Sequence, residues 1–224
     1  MNYRINIIQK LGRVSWGAHT QVLKTSSMSL VYSIAEYCAP VWRNSLHTKL
    51  INVQLNQAMR IISCTVNATP VCWLPVLCNI APSNLRRREQ TTAKLLEKTM
   101  REKNSLLYLE LQDLPINCLI SRHSIWSNFQ LLDQYNIIEK WREKWFTDKI
   151  SNYELIYDPT VSVGGFDIER REWSLLNRLR TGFGCCNELL HKWSLTTSPL
   201  CNCAKKVSIG ESLVKLNPKE LFKG

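Results

Sequence analysis

The 224-residue chain predicts a mainly α fold: a helical bundle, opening with a helical hairpin and ending in a small irregular C-terminal unit. Three observations carry this. Apolar residues recur at helical intervals in several long stretches, Gly and Pro punctuate those stretches, and 45% hydrophobic residues with eight Trp suffice to fill a core.

The first helix of the hairpin is expected from His19 to about Tyr37, after Gly12 and Gly17, with Val22, Leu23, Leu30, Val31, Ile34 and Ala35 at compatible spacings and Pro40 as its stop. The second is expected from Leu46 to Ser63. Leu46, Leu50, Val53, Ala58, Met59 and Ile62 form its apolar stripe, opposite His47, Lys49, Asn52, Asn56 and Arg60. A short apolar segment, VCWLPVLCNI, lies between Pro70 and Pro82, and a third long helix is expected from Leu85 to Lys103. From Asn104 to about Pro159 the pattern weakens, except for a helix near Ile137–Ile150 on which Ile138, Trp141 and Trp145 share a face. The last expected helix runs from Ile168 to about Arg180, N-capped by Asp167 and ended by Gly182. Its wheel places Ile168, Leu175, Leu176 and Leu179 on one side and Arg170, Arg171, Asn177 and Arg178 on the other. The expected units are a helical hairpin region (1–66), a basic helical extension (67–105), a weakly ordered helical connector (106–160) and a C-terminal region (161–224).

Charge is unevenly placed. The chain carries 29 Lys and Arg against 18 Asp and Glu, a formal charge of +11, and its pI is near 9.3. Residues 1–90 hold ten basic side chains and only two acids, Glu36 and Glu89. A surplus of this kind favours a polyanionic partner. No run approaches the roughly 20 apolar residues of a membrane span, and MNYRINIIQKLGR lacks the core of a signal peptide. With nine Cys and no such signal, reduced thiols in the cytoplasm or nucleus are the expectation. No nucleophile elbow, phosphate loop, metalloprotease helix or dinucleotide fingerprint is present, so no small-molecule substrate is assigned.

Three strings carry a resemblance: SWGAHTQVLKTSSMSLVYSIAEYCAPVW (15–42), TPVCWLPVLCNIAPSNLRRRE (69–89) and GFDIERREWSLLNRLRTGFGCCNELLHKWSLTTSPLCNC (165–203). They resemble, in collinear order, the C-terminal part of the polyprotein of RTE- and jockey-like non-LTR retrotransposons, downstream of the reverse-transcriptase palm. The resemblance implies that the helices in 17–64 correspond to a thumb that grips a template–primer duplex of RNA or DNA. It also implies a terminal Cys/His knuckle that holds zinc.

The departures from that family matter equally. Its polymerases use two adjacent aspartates to clamp two metal ions, and no two acidic residues are adjacent here. The chain is therefore expected not to be an enzyme by itself. It reads as a truncated fragment of an RNA-directed DNA polymerase, lacking palm and endonuclease, with residual non-specific nucleic-acid binding. The alternatives are a non-functional relic, or a piece of a longer active polymerase cut short by gene prediction.

The knuckle is also incomplete. Family members place a His about nine residues after the Cys pair and a Cys about five beyond it. Here the pair is Cys201 and Cys203, and the aligned positions are Ser212 and Asn217. A hydroxyl and an amide are poor zinc ligands. A zinc site would need Cys186 and His191 to join the pair; the other reading is a vestige, and no other cofactor is assigned.

For the nucleic-acid interface the candidates are Lys49, Arg60, Arg86, Arg87, Arg88, Arg171 and Arg178. The run Arg86–Arg88 falls in the opening turn of its expected helix, where positive charge opposes the macrodipole, so a compensating partner is expected: a phosphate, or alternatively solvent with Glu89 nearby. Glu169 and Glu172 interrupt the basic side of the last helix, so ion pairing within it is the other reading for Arg170, Arg171 and Arg178. Lys49, Arg60 and His47 suit either groove tracking or plain solvation. Trp126, Trp141, Trp145, Trp173 and Trp193 are expected in the core rather than stacked on bases.

Overall fold

A computed structural model describes residues 1–13, 16–37, 39–42, 45–90, 136–148, 150–183, 187–192, 194–195 and 197–198. Of the described residues 64% are helical and none is in a strand, as the sequence predicts. The helices are α1 (Asn2–Leu11), α2 (Thr20–Ser27, continued through a π turn at Met28–Tyr32 and closed by Ser33–Ala35), α3 (Ala39–Trp42), α4 (Thr48–Ser63) and α5 (Trp73–Cys78). They are followed by α6 (residues 83–90), then α7 (Ile137–Asp148), α8 (Arg170–Thr181) and α9 (Asn187–Lys192). No helix among the described residues is long and apolar enough to cross a membrane.

The hairpin of α2 and α4 forms with α1 packed against both. Its core is Ile5 and Ile8 of α1, Leu23, Val31, Tyr32 and Ala35 of α2, and Leu55, Ala58, Met59 and Ile62 of α4. Leu74, Cys78 and Ile80 close it from beyond the unit boundary that the sequence predicts at 66, so the segment after Val66 belongs to the same core. The close approach of α1 to α4 requires Gly12, where a Cβ would sit 2.5 Å from Ile61 Cγ2.

Every residue of α5 is buried. A helix apolar all round must be covered all round, and α5 is a wedge between two cores. Its other face, Trp73, Val76 and Leu77, meets Trp141 and Trp145 of α7, Ile156 and Val163 of the segment between α7 and α8, and Trp173 of α8. Trp73 and Trp145 pack edge to face with ring centroids 5.0 Å apart. The expected placement of Trp141, Trp145 and Trp173 in the core is thus observed, while Trp126 and Trp193 lie outside the described residues.

Two apolar faces differ from expectation. On α4 the buried apolar side chains are Leu55, Ala58, Met59 and Ile62, whereas Leu50 and Val53, like Leu46 just before the helix, are exposed, because no described element covers that end. On α8 the expected faces are exchanged in part, with Arg171 of the expected polar side still exposed. Arg170, Trp173, Ser174, Asn177, Arg180 and Thr181 are buried, and Leu175 and Leu179 are exposed. The helix also begins two residues later than expected, with Glu169 rather than Asp167 at its N-cap, and ends at Gly182 in the left-handed region (φ 70°).

The exchange on α8 has a physical cause. Carbonyls at the C-terminal end of a helix have no intrahelical donor, and α8 lies across that end of α4. Arg170 Nη1 donates to the Ile62 carbonyl at 2.5 Å and Arg170 Nη2 to that of Ile61. Trp173 Nε1 donates to Ile62 at 3.1 Å, Asn177 Nδ2 to Ser63 at 2.9 Å and Ser174 Oγ to Cys64 at 3.3 Å. Positions i, i+3, i+4 and i+7 form one helix face, and here that face is a set of donors rather than a set of hydrocarbons. The Arg170 charge also opposes the negative end of the α4 dipole, favourable by up to about 2 kcal/mol when partly buried.

Candidate nucleic-acid interface

Docking α8 on the end of α4 creates an arginine cleft. Arg13, just beyond α1, Arg60 in the last turns of α4, and Arg171 and Arg178 of α8 line an open cavity of about 690 Å³, with Gln9 and Thr65 as uncharged polar neighbours. Among the described residues no Asp or Glu lines it. Arg171 and Arg178 share a face of α8 by their i, i+7 spacing, adjacent to the donor face that grips α4. The anchoring of Arg170 therefore sets where the next residue, Arg171, projects.

Arg60 is held by weak hydrogen bonds from Nη2 to the carbonyls of Asn67 (3.4 Å) and Thr69 (3.3 Å), and its buried Nε has no partner. Burial pushes its guanidinium below the usual arginine value, because it is partly desolvated with no carboxylate to answer it. An anion in the cleft would reverse that cost. Arg171 is exposed, and among the described residues no ion pair joins it to Glu169 or Glu172. The reading of Arg170 as an intrahelical ion-pair partner is replaced by its backbone contacts with α4.

The structure thus brings together Arg60, Arg171 and Arg178 from positions more than a hundred residues apart, and adds Arg13, which sequence reasoning did not single out. The other candidates lie elsewhere. Lys49 is exposed near the opposite end of α4, eleven residues or about 16 Å of helix from Arg60. Arg86 makes a two-pronged ion pair with Glu36, Nε to Oε1 at 2.7 Å and Nη2 to Oε2 at 2.8 Å, and Gln90 donates to the same carboxylate. The compensating partner of Arg86, first of the Arg86–Arg88 run, is therefore Glu36, fifty residues upstream. The helix also starts at residue 83, so these arginines sit past its opening residues.

Arg87 is 3% exposed, donates to Asn52 Oδ1 at 2.7 Å and lies over the Trp42 ring. Arg88 is half-buried on the same helix and outside the cleft. Cys186, Cys201 and Cys203 fall outside the described residues, as do Ser212 and Asn217, and His191 is exposed at the end of α9. Among the described residues no group of His, Cys, Asp and Glu is arranged to hold a metal ion.

A signal for the cleft existed in part. The i, i+7 pair on α8 and the single arginine in the last turn of α4 were visible, but their meeting depends on a docking that no local pattern announces. Compared with known proteins, the chain matches no family model, no curated protein and no solved structure.

Proposed function

We propose that this chain is a nucleic-acid-binding module, similar to the thumb and downstream region of a non-LTR retrotransposon reverse transcriptase, that grips phosphates in the cleft of Arg13, Arg60, Arg171 and Arg178. The observation that carries the reading is this convergence of four guanidiniums from three helical segments on one open cleft. Guanidinium groups suit phosphate because their planar fork can make two parallel hydrogen bonds. The lack of an adjacent aspartate pair supports a binding rather than a polymerising role for the chain. The collinear resemblance of 15–42, 69–89 and 165–203 names the polymerase context.

The experiment is binding to a short oligonucleotide across a salt series. Log affinity should fall linearly with log salt. Arg171→Glu combined with Arg13→Glu should weaken binding at least tenfold and flatten the slope by about one for each phosphate that the variant no longer neutralises. Lys49→Glu, distant from the cleft, should change affinity little. Salt-independent binding, or equal losses from Lys49 and from the cleft pair, would refute the cleft as the phosphate site.

A further inference from the structure

Helix α4 carries apolar side chains on two opposite faces. Leu55, Ala58, Met59 and Ile62 face the core. At about 100° per residue, Leu50 and Val53 lie across the helix axis from them, and Leu46 extends the same line through the turn that leads into the helix. These three side chains are 67%, 61% and 92% exposed, respectively. A helix with one apolar face needs one cover, and a helix with two needs two. No rotation of α4 buries the second face without exposing the first.

The second face has the spacing of a seam between two helices. Leu46, Leu50, Val53 and Gln57 are separated by four, three and four residues, the alternation of d and a positions in a heptad. In that register Leu55 takes the f position, farthest from the seam, and it is fully buried in the core on the other side. The e and g positions, which border a seam and set partner choice, hold His47, Lys49, Gln54 and Asn56.

The charge bordering this seam has one sign. None of the four flanking residues is acidic, and Lys49 is exposed. From residue 37 to residue 88 the chain contains no Asp or Glu, and Glu36 is buried in its ion pair with Arg86. On the asparagine side of α4, α7 presents Lys144 and Asp148 together, so that flank adds no net charge. A second copy of this chain pairing through the same face would bring apolar side chains to the seam but no carboxylate to Lys49. A helix with apolar a and d positions and Glu or Asp at e and g supplies both.

We infer that the outer face of α4 is a docking surface for an acidic amphipathic helix of another protein, seated on Leu46, Leu50 and Val53 and oriented by Lys49. The residues of this surface and those of the arginine cleft do not overlap, so each assignment can fail without the other.

The test titrates the full chain into two labelled synthetic peptides of three heptads, both with Leu at a and d, one with Glu and the other with Lys at e and g. The Glu peptide should bind and gain helix, and the Lys peptide should bind about tenfold more weakly or not at all. Leu50→Ser combined with Val53→Ser, both at exposed positions, should weaken the Glu peptide about tenfold and leave the melting temperature and oligonucleotide affinity as they were. Lys49→Glu should weaken the Glu peptide about threefold and strengthen the Lys peptide. No binding of the Glu peptide, equal binding of the two peptides, or a loss from Arg171→Glu as large as that from the serine pair overturns the docking surface. A chain that dimerises in sedimentation and turns monomeric with the serine pair also overturns it, giving the face to a second copy. Peptide-free behaviour in which the serine pair lowers the melting temperature overturns it as well, giving the face to this chain's own residues.

Discussion

Helix α4 is held at its middle and at its end by opposite kinds of contact. Along its middle, Leu55, Ala58, Met59 and Ile62 meet α1, α2 and α5 mainly through hydrocarbon, with one polar contact in which the Cys78 thiol donates to the Met59 carbonyl at 3.2 Å. At its end, Arg170, Trp173, Ser174 and Asn177 of α8 donate to four consecutive carbonyls. Apolar contact is non-directional and proportional to area, so the middle fixes that α4 is buried without fixing its register against α8. Hydrogen bonds to successive carbonyls are directional, and they fix how far along α4 the last helix sits. The arginine cleft is a product of that register, which places Arg171 and Arg178 opposite Arg60.

The largest expected effect breaks the apolar side of this comparison. Leu55 is fully buried, and Leu55→Ala should cost about 4 kcal/mol through reduced burial and the cavity left behind. Chemical denaturation measures it. Oligonucleotide affinity of the folded fraction should stay as it was, since the register of α8 on α4 does not depend on Leu55.

The next effect breaks the polar side. Arg170→Leu should cost about 3 kcal/mol, because it removes charge-assisted bonds and leaves the Ile61 and Ile62 carbonyls short of donors in a buried setting. Unlike Leu55→Ala, it should also lower oligonucleotide affinity in the folded state by freeing Arg171 from its position. Arg170→Lys keeps the charge but loses the planar fork that reaches two carbonyls at once, so it should recover only part of either loss. Affinity loss that merely tracked stability in both variants would show that register plays no part in the cleft.

The same contrast explains what was legible beforehand. The core halves of α2 and α4 and the Trp141–Trp145 face of α7 follow from periodicity, because burial there is apolar and apolar spacing is a local signal. On the docking face of α8 the same rule places Trp173 in the core but turns Arg170 and Asn177 to solvent. Arg170 and Asn177 are polar, and a pattern that equates polar with exposed cannot distinguish a solvated guanidinium from one capping a helix 108 residues away. Leu175 and Leu179 then took the core side of the wheel by default, although they are exposed. The cleft inherited this difficulty: Arg60, Arg171 and Arg178 could be named singly, but Arg13 and the meeting of all four required the tertiary contact. Arg86 and Arg87 stand out in the sequence by their charge, and the fold engages that charge internally with Glu36, Asn52 and the rings of Tyr32 and Trp42.

The smallest effect uses two cysteines to separate the same two environments. Cys78 lies in the apolar core, where burial pushes its thiol up to about 12 from 9.0. Cys64, at the polar junction, is raised by burial too, but Arg170 and Arg178 pull it back. A thiol reagent at mildly alkaline pH should therefore modify Cys64 well before Cys78. The sign for stability follows from proton binding: above 9.0 the unfolded chain loses the Cys78 proton while the folded chain keeps it, so unfolding is favoured as pH rises. The stabilisation from a protonated Cys78 is complete below 9.0 and should decline by at most about 1.4 kcal/mol per pH unit up to about 12. Cys78→Ala should flatten that part of the pH–stability curve, whereas Cys64→Ala should flatten it less. Equal flattening by the two variants would mean that the arginines at the α4–α8 junction do not reach the Cys64 thiol, and that the junction is electrostatically no different from the core.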